Sequence, residues 1–222
     1  MTPPTPNHDD DELAERYRLE LAAAFVRGRL ELDDALDPVA CFRLGREAGL
    51  ELHKFKRMTL PRVEKVLGIL RGFSPASLLD LGSGRGTFLW PLLSAFEGLE
   101  VTALDRDPRR VRDLRAVGAG GVARLSAVEG DLAELPFADD AFDGVTALEV
   151  LEHVDDPERA AGELLRVARR FVVASVPSKP DDNPEHIHHF PAAEFSALFE
   201  GAGAQRVNLD AVLNHWVVVV RP

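Results

Sequence analysis

The chain has 222 residues, enough for one sizeable core and a small addition, because domains commonly run to ~100 to 200 residues. Its 45% hydrophobic and 28% charged residues describe a globular protein, and a net charge of −11 argues against a general nucleic-acid binder, which needs clustered Lys and Arg. The longest apolar runs, FVVASV and WVVVV, fall far short of the ~20 residues of a membrane-spanning helix, and no charged-then-apolar leader opens the chain. Cys41 is the one cysteine, so no internal disulfide forms and a reducing, cytoplasmic location without membrane partners is expected.

In chain order, TPPTPNHDDDE is Pro-rich and then acidic, so residues 1–12 are expected to form a disordered tail. Residues 13–73 carry apolar positions at helical spacing, as in Val63, Val66, Leu67 and Leu70 after Pro61, and are read as a helical extension or cap of three helices. Two basic groups stand out against the acidic whole. One runs from Arg43 to Arg71 with Lys54, Lys56, Arg57, Arg62 and Lys65 inside it; the other is Arg106, Arg109, Arg110, Arg112 and Arg115. Both are read as solvated helix faces.

Residues 74–222 change texture, alternating short apolar runs with amphipathic stretches, the pattern of a parallel sheet with helices on both faces. Strands are predicted near 77–81, 100–104, 123–128, 142–148, 171–176, 206–212 and 215–220. The helix opening at Pro157 has Asp155 or Asp156 as cap and Ala160, Ala161, Leu164, Leu165 and Ala168 as its apolar stripe. Only a tight turn around Asn214 separates the last two strands, so they should pair antiparallel.

LLDLGSGRGTF sets Gly82, Gly84 and Gly86 between an apolar strand and a helix, where glycines allow a tight turn and close approach of a ligand. No Lys-Ser/Thr follows, and Thr87 stands where a dinucleotide fingerprint needs its third glycine. Asp80, two residues ahead of Gly82, would repel a pyrophosphate and attract a cationic amino group. The second strand ends in Asp105, placed to accept the hydroxyls of a ribose, and the third is followed by Asp131 and Leu132, placed for an adenine's amine and ring. A cationic amino acid, a ribose and an adenine together describe S-adenosyl-L-methionine.

These stretches, DLGSGRG at 80–86, LD at 104–105, GDLAELPFADDAFD at 130–143 and LEVLEHVDDP at 148–157, resemble the class I S-adenosylmethionine-dependent methyltransferases of the ubiquinone/menaquinone-biosynthesis type. The resemblance covers residues 76–176 well and the remainder more loosely. It implies an α/β, Rossmann-like, doubly wound sheet of seven strands in the order 3-2-1-4-5-7-6, strand 7 antiparallel. It also implies a cofactor set of Asp80, Gly82, Ser83, Gly84, Gly86, Asp105, Arg106, Asp131, Leu132 and Glu149. The Pro-Gly-Gly turn often found before strand five in such proteins is absent here.

LEVLEHVDD carries Glu149, Glu152 and His153 at i, i+3 and i+4, one face if the chain turns helically there. KPDDNPEHIHHF adds His186, His188 and His189 after the fifth strand. Three roles stay open. The trio forms a structural wall; or Glu149, His153 and His188 act as catalytic acid/base groups; or Glu149, Glu152, His153 and His188 hold a divalent ion, magnesium or manganese (Mg2+ or Mn2+). The E-x-x-E-H spacing is similar to that of the small-RNA 3′-terminal 2′-O-methyltransferases, where such residues and a later histidine bind metal. The expected function is O-methylation of a small-molecule acceptor. The alternatives are a metal-assisted RNA 2′-O-methyltransferase and a protein that binds the cofactor without catalysis.

Overall fold

The computed structural model describes residues 8–180 and 182–222, with side chains from Glu12 onward. The first part of the expected tail, 1–7, lies outside the described residues, and α1 (His8–Arg16) takes in the rest of it as helix. After α1 come α2 (Leu19–Leu30), α3 (Pro38–Glu47), a 3-10 turn (Leu52–Phe55) and α4 (Pro61–Phe73), one helix more than the spacing implied. Proline at the first position starts α3 and α4, where its missing N–H is no loss.

The sheet holds β1 (Ser77–Leu81), β2 (Glu100–Asp105), β3 (Leu125–Glu129), β4 (Phe142–Leu148), β5 (Ala168–Pro177), β6 (Arg206–Val212) and β7 (His215–Arg221). Its order is β3-β2-β1-β4-β5-β7-β6. All pairs are parallel except those of β7, which runs antiparallel to both β5 and β6. β1, β4 and β5 lie inside the sheet and bury nearly every residue, the mark of strands covered on both faces. The connecting helices are α5 (Leu89–Ala95), α6 (Pro108–Ala119), α7 (Pro157–Val167) and α8 (Ala192–Gly201). Asp107 and Asp156 cap α6 and α7 by accepting the amides of Arg109 and Arg159, each at 2.9 Å.

β5 starts at Ala168, directly after α7, three residues before the expected strand. Ala168 therefore belongs to the strand and not to the helix stripe; it pairs with Phe142 at the start of β4. Burial drives the change, since Ala168 is fully enclosed and Phe171 packs inside the sheet layer.

One core lies on each face. The first joins α2, α3 and α4 to α5, α6 and the inner strands; the second lies under α7 and α8. The helices of residues 13–73 thus share a core with the sheet, shown by Phe55 packing on Phe25 at 5.5 Å and on Trp90 at 4.8 Å. Close approach of α2 to the end of α6 depends on two glycines. A Cβ on Gly28 would stand 1.9 Å from the Ala116 carbonyl oxygen, and one on Gly120 would stand 1.9 Å from that of Ala24.

Candidate functional site

Parallel strands end together, so the residues that close β1, β2, β3 and β4 form one rim. Asp80 is 2% exposed within that rim. Its carboxylate accepts the Ser83 hydroxyl at 2.7 Å and the Thr146 hydroxyl at 2.8 Å. Burial pushes its pKa up to about 6; the two hydroxyls pull it back, and the charge of Asp105 adds to the rise. No ion pair reaches Asp80 among the described residues.

Gly82, Gly84 and Gly86 all have positive φ, at 63°, 56° and 82°, conformations other side chains rarely adopt. They wrap the chain over Asp80, and the Gly84 amide points at Asp105, which accepts it at 2.9 Å. Asp105 also accepts the Asp107 amide at 2.9 Å, and Arg110 stands 3.6 Å away. Each carboxylate oxygen thus accepts one hydrogen bond, and Oδ1 keeps a lone pair clear of Arg110. Arg106 follows on the surface. Asp131 is exposed and forms an Asx turn by accepting the Ala133 amide at 2.8 Å, while Leu132 beside it is 6% exposed.

Glu149 leaves β4 with φ 59°, a left-handed conformation that costs a non-glycine residue energy and aims its side chain back over the rim. Its carboxylate accepts the Ser175 hydroxyl of β5 at 2.7 Å, pairs with His215 Nε2 of β7 at 3.1 Å, and lies 3.9 Å from Arg62 of α4. A cavity of about 170 Å3 is lined by Arg62, Asp80, Ser83, Thr87, Leu148 and Glu149 among others. Strand pairing supplies Ser175 and His215, and the packing of α4 supplies Arg62; none of the three carries a sequence signal that would have singled it out.

The left-handed turn at Glu149 breaks the expected helical face. A short 3-10 turn, Leu151–His153, follows, and Glu149 parts from Glu152 and His153. Glu152 is 1% exposed, and its backbone carbonyl accepts the amides of Ile187 and His188 at 2.9 and 3.1 Å. His153 Nδ1 lies 2.8 Å from the Glu185 carbonyl, and its ring meets His186 edge-on at 4.7 Å. His188 Nε2 lies 2.9 Å from the Val154 carbonyl. The group able to share an ion is therefore Glu152, His153 and His186, whose ligand atoms lie within 4.8 Å of one another. Glu149 and His188 do not join it. One carboxylate and two imidazoles are also a more nitrogen-rich set than the magnesium-type ligation expected.

The rim fits the expected cofactor on its own geometry. A buried carboxylate lacking a cation, glycines that open the backbone, and a second carboxylate at the next strand end suit an amino group and a ribose. Residues 79–171 match a family model described as a methyltransferase domain. The chain is 37% identical over 100 residues to a demethylmenaquinone methyltransferase of Renibacterium salmoninarum, covering 44% of this chain and 40% of that one. It is 33% identical over 132 residues to a ubiquinone biosynthesis O-methyltransferase of Xylella fastidiosa, covering 56% and 50%. The match thus spans half or less of either relative's length. Among solved structures, a SAM dependent methyltransferase from Aquifex aeolicus superposes with a TM-score of 0.58 at 21% identity, over 73% of this chain and 98% of that one, a likeness of fold.

Proposed function

We propose, from the premise that over residues 79–171 this chain belongs to the class I S-adenosylmethionine-dependent methyltransferases, that it methylates a hydroxyl of a small molecule. The observation that carries the reading is Asp80, a carboxylate buried under the glycine turn with a pKa of about 6 and no ion pair among the described residues. A cationic amino group held there would offset the burial cost. The cofactor, when bound, supplies the activated methyl group and its leaving group.

The residues of the chain divide the remaining work. Asp80, Gly82, Ser83, Gly84 and Gly86 would hold the amino acid end, Asp105 and Arg106 the ribose, and Asp131 with Leu132 the adenine. Glu149 bounds the same cavity, and His215, paired to it from outside that lining, is the proton acceptor we assign for an attacking hydroxyl. His153 and His188 each commit a ring nitrogen to a backbone carbonyl of the neighbouring loop. Kinship with a relative named as a ubiquinone biosynthesis O-methyltransferase favours an aromatic hydroxyl as acceptor.

Calorimetry with S-adenosylhomocysteine and labelled methyl transfer to a panel of phenols and catechols test this. Micromolar binding with transfer to at least one hydroxyl is expected; binding without transfer to any acceptor would favour a purely binding protein. Asp105→Ala should weaken the calorimetric affinity by ~1 to 3 kcal/mol through loss of charged hydrogen bonds, and unchanged affinity would contradict the ribose assignment. A second reading rests on the cluster Glu152, His153 and His186: metal-assisted methylation of an RNA 2′-hydroxyl. Activity lost on chelation and restored by manganese would favour it.

A further inference from the structure

Lys54 of the first basic group and Arg109, Arg110 and Arg112 of the second meet, together with Arg29 and Arg85, in one cavity of about 460 Å3 beside the glycine turn. Its walls come from α2, the 3-10 turn before α4, and the start of α6; Gly84, Arg85 and Trp90 close its inner end. Six cations face three carboxylates there, a positive lining in a chain of net charge −11. Arg106, expected at the ribose, and Asp131 and Leu132, expected at the adenine, are not among its lining residues; Gly84 and Arg85 line both this cavity and the one beside Glu149, so the two meet at the glycine turn while the adenine positions lie outside.

Two of the three carboxylates are already committed, and the third, Glu51, is exposed. Asp113 holds both Arg29, at 2.5 Å, and Lys54, at 2.8 Å. Lys54 is 5% exposed and sits 3.8 Å over the Phe25 ring, which fixes one charge deep in the cavity wall. Asp107 holds Arg109 at 2.9 Å and Arg110 at 3.8 Å. The guanidinium groups of Arg85 and Arg112 have no ion-pair or hydrogen-bond partner among the described residues, and both residues are exposed at the cavity. Two free guanidinium forks beside a buried ammonium suit the oxygens of phosphate, which arginine engages two at a time. The volume is that of a small-molecule site, typically ~300 to 1,000 Å3.

We propose that this cavity binds the phosphate or diphosphate group of a small molecule, with Arg85 and Arg112 pairing its charge and Lys54 and Arg29 supplying the fixed field behind them. Arg85 also ties the cavity to the glycine turn, since its carbonyl accepts the Trp90 indole N–H at 2.8 Å. An anion drawn to Arg85 therefore bears on the loop whose next residue back, Gly84, donates to Asp105.

The test is calorimetric titration of the full chain with inorganic pyrophosphate at fixed ionic strength, with poly(U) as a second titrant. Saturable pyrophosphate binding with a Kd below about 1 mM is expected. Arg112→Gln and Arg85→Gln should each weaken it about 10-fold, while Arg206→Gln on β6, outside the cavity lining, leaves it unchanged. Both cavity substitutions alter exposed side chains, so circular dichroism and melting should match the parent. A titration repeated with S-adenosylhomocysteine present separates the sources of the group: altered pyrophosphate affinity indicates a free effector coupled to the glycine turn, and unaltered affinity indicates a handle on the acceptor. Either outcome supports the site. No saturable binding, equal weakening by Arg206→Gln, or binding of poly(U) alone overturns it.

Discussion

Replacing His215 with glutamine is expected to slow methyl transfer about 10²- to 10⁴-fold near neutral pH, the range for loss of a positioned general base, while S-adenosylhomocysteine affinity stays within about twofold. Glu149 Oε2 lies 3.1 Å from His215 Nε2, so that nitrogen carries the proton and the lone pair is left on Nδ1. Nδ1 has no partner among the described residues. Glu149 is itself held by the Ser175 hydroxyl and fixed in a left-handed conformation, and it orients the ring and stabilises the imidazolium as the proton arrives. The charged group in contact with His215 is Glu149, which in turn lies 3.9 Å from Arg62 of α4. The measurement is kcat/KM, at saturating cofactor, against the acidity of the acceptor hydroxyl across the panel. The variant should depend more steeply on that acidity than wild type, with acceptors of more acidic hydroxyl suffering least. A variant whose dependence matches wild type would show that His215 only packs against Glu149.

Cofactor affinity is expected to drop as pH falls through about 6, approaching tenfold per pH unit below it, because Asp80 must be ionised to attract an amino group. The free protein should show the opposite trend in stability. Its folded form holds the Asp80 proton more tightly than the unfolded chain, whose carboxyl titrates near the ordinary 3.8. Between about 4 and 6 the folded state therefore binds more protons, and stability decreases as pH rises across that window, by about 3 kcal/mol for a shift of this size. Above about 6 the full cost of the buried charge is present, and a bound cation removes part of it. Asp80→Asn should raise the melting temperature of the free protein at pH 8, weaken cofactor binding there, and flatten the affinity profile. Calorimetry and thermal melts from pH 5 to 8 check all three. An affinity profile in Asp80→Asn as steep as in wild type would remove Asp80 from the cation site.

Much of the frame was legible because it depends on short-range chemistry. Alternating apolar runs placed the seven strands to within a few residues, and β5, which begins earlier, was misjudged because α7 passes into it with no glycine or proline between them. Three glycines at alternate positions allow one kind of turn, and a carboxylate two residues before them must lie under it, so Asp80 could be read directly. Asp105 followed from its place at a strand end. The E-x-x-E-H reading failed on one backbone angle: helical spacing was assumed, but Glu149 is left-handed, which splits it from Glu152 and His153 and brings His186 to them in place of His188.

The amino-acid sequence alone determined the element types, the glycine turn and the acidic strand ends, since each rests on steric and burial preferences acting over a few neighbouring residues. Tertiary structure decided which distant side chains meet. Antiparallel pairing of β5 with β7 carries His215 to Glu149, α4 brings Arg62 to the same carboxylate, and the packing of α2 on α6 gathers Arg29, Lys54 and the arginines of α6 into one cavity. Those meetings follow from how strands order and helices stack to bury a shared core, a cooperative outcome that no local spacing encodes.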